Sequence, residues 1–545
     1  MRSHFSILKV FCISLGMMSC ASRQGAETFD FNKSLEERIA KNLSKRQELV
    51  QGNPVYLGLV TELKHGQDLL KDHKPKEAFT SFDKILRDER YSNYPEYSYA
   101  KYYLGATLYE LGADYGSLLY FVDIVEKEPV RDHTHESLKR AIGIAQKLKD
   151  DELILYVAST IPPEKVPLSL REEFRYFIAK DLYQKGNLEK SVKLLHAIPH
   201  RNRLYLAAQY LLGAIATKQK NLQEAISYFR TISDARSPVE YYENEKIRQL
   251  GNLALGRIFY ELKNYPLSIV YYKKVKADGD FFPQALYESS WGLFKLHKFN
   301  EALAVLHSMQ SPFFEQIYFL KSYLLSGAIF LELCLYDDAV RNLLSIEKQF
   351  KELGNQIDRF AKQARSPQEY YPLLSSKIRS PEGAEKYAFR QLFNLASANR
   401  DFLAVHRYLE RLLSEQKILA SLQVPRADLL ARLLQQKSSD LTIKGSWLAG
   451  QKLKLTRELI AEFSDLKDFL RYEVISAERK ILQTRSLRLA PPVLTDADLI
   501  RPEFTESLKE TIVWWNYNGE YWQDEIGSYF YTLKSICKES QEKAK

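Results

Sequence analysis

The sequence predicts an all-α protein, an α-solenoid of about eight helix-turn-helix units. Two stretches carry the prediction most clearly. They read LLGAIATKQKNLQEAISYF, Leu211 to Phe229, and ALGRIFYELKNYPLSIVYY, Ala254 to Tyr272. Each places a small residue in a first helix, then an Asn-containing turn, a second small residue, and an aromatic four positions later. The second small residue recurs as Ala78, Ser117, Ser191, Ala225, Ser268, Ala302 and Ala339, at gaps of 39, 74, 34, 43, 34 and 37. The gap of 74 holds one further, degenerate unit, Leu138 to Ile161.

Each recurring residue has a mechanical role. Gly66, Gly105, Gly213, Gly256 and Gly327 lie twelve positions before the second small residue. A glycine inside a helix costs roughly 1 kcal/mol against alanine, so its recurrence marks a close approach of the paired helices. Phe82, Phe121, Phe229 and Tyr272 lie one helical turn after the small residue, on its face. There they are expected to fill the space between adjacent units. Pro129 and Pro238 fall where second helices should stop. Leu195, Leu306 and Leu343 replace the aromatic, and Ser289-Ser290 stand where Leu-Gly is expected.

This pattern resembles the tetratricopeptide repeat, whose period is about 34 residues. The resemblance implies a non-catalytic surface that holds another protein, with exposed first-helix residues lining a concave groove. Counting back from the second small residue, two aromatic series occupy the matching positions. One is Tyr102, Tyr176, Tyr210 and Tyr287; the other is Tyr109, Tyr183, Tyr260 and Phe294. Trp291 joins them, and Arg257, Lys180, Lys218 and Lys295 are interspersed. Tyrosine offers broad contact area at little entropic cost, and Tyr, Trp and Arg are typical of interface hot spots. Such a groove suits an extended peptide with acidic or aromatic side chains. The competing expectation is that these residues are core.

The first residues read as an address. Arg2 and Lys9 precede or flank a short apolar run, VFCISLGMMS, too short to span a bilayer as a helix. The run ends at Ser19-Cys20, which resembles a bacterial lipoprotein signal. That resemblance implies a signal over 1–19, acylation of Cys20, and attachment to the periplasmic face of the outer membrane. Met17 and Met18 depart from the usual pattern, and ordinary secretion with cleavage near Ala21 is the alternative. Residues 20–55 are read as a tether and an amphipathic helix with Leu35, Ile39, Leu43 and Leu49 on one side. Two cysteines lie further along, Cys334 and Cys537. A periplasmic bridge between them is one alternative, but nothing in their spacing argues for it, and two isolated cysteines are the expectation.

The solenoid is assigned to 56–350 and a helical extension to 351–490, for which two further, strongly diverged hairpins are one reading. Residues 426–490 carry 13 basic and 8 acidic residues. This is either a basic contact face or a long solvated helix. Residues 491–545 are acidic, with 6 basic and 10 acidic residues, and crowd eight aromatics between Trp514 and Tyr531. Trp514, Trp515, Tyr521 and Trp522 are candidate docking residues there; capping of the open solenoid end is the alternative. GEYWQDEIGSY resembles the closing motif of repeat lipoproteins in bacterial gliding-motility and envelope machinery.

Chemistry-bearing motifs are missing from the sequence. There is no phosphate-binding loop, no G-x-S-x-G, no H-E-x-x-H and no paired CxxC. His133/His135 and His196/His200 are poor metal pairs, and neither a metal nor a cofactor is expected. Glu520, Asp524 and Glu525 sit among aromatics, but three acids within six residues make one face rather than two sides of a glycan. A net charge of +9 is modest for 545 residues and does not suggest nucleic acid. The sequence therefore predicts a non-enzymatic, lipid-anchored scaffold for a protein or extended peptide. The alternatives are a peptidoglycan- or glycan-associated module with cryptic hydrolytic activity, or a secreted, untethered adaptor.

Overall fold

A computed structural model describes residues 53–484 apart from 128–131, 162–165, 236–241, 312–319 and 380–383. It also describes 37–39, 41–43, 45, 501–502, 520–522, 526–527, 529–535 and 537. Eight antiparallel hairpins follow one another. They are α1 (Pro54–Lys71) with α2 (Pro75–Arg87), α3 (Tyr97–Glu110) with α4 (Asp114–Lys127), and α5 (Asp132–Leu148) with α6 (Asp151–Thr160). Next come α7 (Arg171–Gln184) with α8 (Leu188–His196), α9 (Tyr205–Lys218) with α10 (Leu222–Asp234), and α11 (Tyr242–Glu261) with α12 (Tyr265–Lys273). The last two are α13 (Phe282–Lys295) with α14 (Phe299–Ser308) and α15 (Leu320–Glu332) with α16 (Tyr336–Gln363). Four more helices form the extension: α17 (Tyr370–Arg379), α18 (Ala384–Ser397), α19 (Arg400–Ala420) and α20 (Pro425–Thr484). Among the described residues, the β-structure is a two-residue antiparallel pairing of Arg501–Pro502 with Tyr529–Phe530.

One turn geometry makes all eight hairpins. Each has a residue with left-handed backbone between its helices: His73, Gly112, Lys149, Gly186, Lys220, Lys263, His297 or Cys334. This conformation is where helices commonly end. The next residue immediately precedes the second helix. Asn187, Asn221 and Asn264 each accept from the backbone N–H three positions on, satisfying one of the donors a helix start leaves open. Asp150 does the same in the degenerate unit, accepting from Leu153 N at 3.1 Å. The turn residue precedes the second small residue by five positions in every unit. That register places Ile154, fully buried, at the small position of the degenerate unit.

The recurring glycines and aromatics meet inside one hairpin rather than between units. A Cβ on Gly66, Gly213 or Gly256 would lie 2.6, 2.7 or 2.5 Å from the ring of Phe82, Phe229 or Tyr272. The small position is held as well. Ser117, Ser191 and Ser268 donate to the carbonyls of Gly105, Ala179 and Gly256, each at 2.7 Å. These serines are buried, and the bond satisfies their hydroxyls.

The extension does not continue the stack as further repeats. Helix α16 runs through residue 350, so the boundary drawn there falls inside one helix. Helices α16 to α20 then share a single apolar core with the first three hairpins. Leu59, Phe82, Tyr103 and Phe121 belong to the same cluster as Leu374, Phe402, Leu412, Leu434 and Phe463, and Ile39 and Leu43 join it. Polar contacts fix the register. Arg426 bonds the buried carboxylate of Asp83, Tyr408 donates to Asp150 at 3.1 Å, and Lys437 pairs with Asp150 at 2.8 Å. Glu415 accepts from Tyr115 N at 3.0 Å and Gly116 N at 2.6 Å, at the first turn of α4. The basic residues of α20 are thus partly spent on acids of the early hairpins, Lys444 with Glu152 included.

The C-terminal residues lie against the seventh and eighth hairpins. Ile526, Tyr529 and Leu533 share a core with Leu286, Leu303 and Leu325. The Asn300 amide makes two 3.0 Å bonds to the Leu533 backbone, one to its carbonyl and one from its N–H. The expectation for the cysteines is corrected: Cys334 and Cys537 form a disulfide across 203 residues. Cys334 lies in the eighth hairpin turn, not in a helix, and its left-handed backbone puts it at the hairpin tip where the C-terminal residues pass.

Candidate partner-binding surface

The first aromatic series divides once folded, with Tyr210 and Tyr287 half-buried and Tyr102 and Tyr176 sealed. Tyr102 and Tyr176 are corrected to core, each only 1% exposed. Their stripe of the first helix faces the next unit. Tyr102 is covered by His133 and Arg140 of α5, with Arg140 5.9 Å above its ring. Tyr210 packs beside Phe229, ring centroids 5.5 Å apart. Arg257 is also corrected as a contact residue. It is buried, and its fork is taken by both oxygens of Glu288 at 2.6 and 2.8 Å.

The second series, two helical turns later, stays at the rim. Tyr109, Tyr183, Tyr260 and Phe294 are all half-buried. Lys147 sits 5.0 Å over the Tyr109 ring and Lys218 5.3 Å over the Tyr183 ring. Half-buried Tyr287 and Trp291 join the series on α13, where Trp291 and Phe294 lie edge to face at 6.1 Å and Phe299 follows at 5.8 Å. Tyr260 contacts Tyr265 at 5.3 Å. Burial pushes the phenols of Tyr260 and Tyr287 up to about 12, so both stay neutral at ordinary pH. The result is a half-exposed aromatic strip along the ends of the first helices of hairpins six and seven.

A separate hollow of about 240 Å³ lies between α8, α9 and α10. Its floor is Val192, Leu212 and Ile215, and its rim is Glu189, Glu224 and Tyr228. Nothing in the sequence pattern marks it, because its lining comes from three helices that share no common spacing.

Residues 178–238 match the tetratricopeptide-repeat family model. The matched stretch runs from α7 through α10, and the eight hairpins form a tetratricopeptide-like solenoid. A tetratricopeptide repeat protein from Parabacteroides merdae is 14% identical, covering 54% of this chain and 93% of its own, at a TM-score of 0.21. The apo form of the quorum sensor NprR from B. thuringiensis is 14% identical, covering 75% and 94%, at 0.20. The P58(IPK) tetratricopeptide domain is 16% identical, covering 72% and 96%, at 0.16. TM-scores this low do not establish a shared superhelical shape. No curated protein matches the sequence.

The remaining candidates divide between the described residues and the rest. Cys20, Trp514, Trp515, Asp524 and Glu525 lie outside the described residues. Tyr521 is half-buried and packs on the seventh hairpin. Its ring lies 5.1 Å from His307, which also contacts Tyr529 and Tyr531. Burial pushes His307 down to about 4, so this ring is neutral. Trp522 is 56% exposed. His133 is buried and bonded to Ser98 at 2.9 Å. Among the described residues there is no group of three or more His, Cys, Asp or Glu able to hold a metal. None of the described helices is long and apolar enough to cross a membrane.

Proposed function

We propose that this protein is a non-enzymatic scaffold that binds a protein or an extended peptide along the rim of its first helices. The observation that carries this reading is the strip of Tyr260, Tyr287, Trp291 and Phe294, half-exposed where Tyr102 and Tyr176 are sealed. Partly exposed rings at a rim favour a partner that removes the rest of their surface from water. The tetratricopeptide-like scaffold supports the same reading, because such solenoids are generally interaction surfaces and not catalysts.

Anchoring is the finer part of the proposal. Cys20 would carry lipid and hold the body at the periplasmic face of the outer membrane, within an envelope or motility assembly. The basic start, the short apolar run and Ser19-Cys20 support it, and several acyl chains anchor where one is marginal. Crosslinked pull-down of the anchored protein from native membranes tests the scaffold. Recovery of a discrete partner, lost on Tyr260→Ala with Trp291→Ala, is the expected result. Palmitate labelling tests the anchor: Cys20→Ser should abolish labelling and release the protein, and unchanged retention would remove the lipoprotein assignment.

A further inference from the structure

Where the third hairpin, the sixth and the extension meet, positive charge accumulates without a matching set of acids among the described residues. Lys149 occupies the left-handed turn between α5 and α6 and is half-buried. Facing it from α19 are Arg400, Arg407 and Arg411, spaced seven and four residues apart and therefore on one helix face. Arg411 is fixed there by its bond to the Lys147 carbonyl at 2.7 Å. Lys246 of α11 completes the group. It shares one oxygen of Asp280 with Arg400, at 2.9 and 3.3 Å, and both cations flank the ring of buried Phe281.

Among the described residues, five cations thus meet one carboxylate, that of Asp280, leaving four charges in excess. Three other half-buried lysines are matched by acids. Lys101, Lys180 and Lys437 each meet a carboxylate within 3.2 Å. Lys149 has none among the described residues, although Asp150 is its neighbour in sequence, because Asp150 is given to Lys437 and Tyr408. Burial, followed by Arg407, Lys246, Arg400 and Arg411, pushes the Lys149 ammonium below its ordinary value. An uncompensated, partly desolvated cation group is costly unless an anion occupies it.

We propose that Lys149, Arg407 and Arg411, backed by Lys246 and Arg400, form a binding site for a multiply charged phosphate group. A single carboxylate would cancel one charge of four. A phosphomonoester or diphosphate offers several acceptor oxygens that can take an arginine fork and an ammonium at once. The group can be free or carried on a lipid headgroup, and the chemistry of capture is the same. The site is separate from the aromatic strip, so it stands whether or not the peptide-binding reading does.

Calorimetric titration of the full chain carrying Cys20→Ser with inorganic pyrophosphate tests the site, at low ionic strength and again at about 0.15 M salt. Saturable binding to one site is expected. Lys149→Asn with Arg407→Gln should weaken it roughly tenfold or more. Asparagine tolerates the left-handed turn, and neither side chain holds another described residue, so the fold should persist. Asp280→Asn removes the one acid and should tighten binding several-fold. Flotation with phosphatidic acid vesicles, against phosphatidylcholine alone, decides the source: flotation lost in the double variant assigns a headgroup, and pyrophosphate binding without flotation assigns a free phosphate. No saturable pyrophosphate binding, or equal affinity in the folded double variant, overturns the site. Arg407→Gln alone serves the same purpose if the double variant does not fold.

Discussion

A Cβ placed on Gly213 would lie 2.7 Å from Cε1 of Phe229, closer than carbon atoms approach without displacement. The glycine and the ring are one device: the missing side chain is the space the ring occupies. The fourth hairpin shows the complementary solution, with Ala179 at the glycine position and Leu195 in place of the aromatic. Gly213→Ala should therefore cost roughly 1–3 kcal/mol, read as a lower denaturant midpoint. Adding Phe229→Leu should cost less than the two single changes summed. Strict additivity in that double-mutant cycle would show that the pair does not couple.

Glu415 should make stability depend on pH. Burial pushes its carboxyl up to about 7, against the bonds from Gly116 and Tyr115, with Asp114 nearby adding to the rise. The folded protein then holds a proton that the unfolded chain releases near its ordinary carboxyl value of 4.5. The sign follows: stability falls as pH rises from about 4.5 to 7. The shift corresponds to about 3 kcal/mol. Glu415→Gln should remove that slope. A wild-type stability curve that is flat or rising through this window, with the variant unchanged, would contradict the assignment.

The two aromatic series should separate in mutagenesis. Tyr102→Ala and Tyr176→Ala empty sealed positions and should lower stability by roughly 3 kcal/mol or more. Tyr260→Ala, Trp291→Ala and Phe294→Ala should move the melting temperature less. On the proposed function, each should weaken partner binding by about 1–2 kcal/mol. Rim variants that bind normally while melting early would mean that these rings are core, not contact.

Reduction of the Cys334–Cys537 bridge should loosen the C-terminal residues locally. The bridge lies four residues beyond Leu533, whose backbone bonds the Asn300 amide. Cys537→Ser should raise hydrogen exchange at Asn300 and Leu533 and cost on the order of 2–4 kcal/mol. Exchange confined to its wild-type level would show that Ile526, Tyr529 and Leu533 hold the segment unaided.

The hairpins are legible in the sequence because their determinants are local. Small residue, turn and aromatic recur within about thirty residues, and Asn221 caps the helix that its own position announces. Tyr102 escapes such a reading because its stripe faces the next first helix, and the residues that cover it, His133 and Arg140, follow no repeat spacing. The bridge from Cys334 is hidden because 203 residues separate its ends. The contact between Arg426 and Asp83 is hidden for the same reason. The cation group around Lys149 draws on three segments distant in sequence, and its signal is a charge surplus that only folding assembles.

The shared core of the early hairpins and the extension changes how such a chain can be made. An ordinary solenoid gains stability by adding neighbours, so its first units are complete soon after synthesis. Here the surface around Tyr115 and Gly116 waits for Tyr408 and Leu430, more than two hundred residues later. Closing that separation makes folding slow, because distant contacts are rewarded only after the intervening chain is organised. During that interval an apolar surface stays uncovered, so the emerging chain depends on being shielded from aggregation until its last long helix arrives. Shortening the protein from either end leaves the same surface open, and a repeat cannot be excised as a free-standing module.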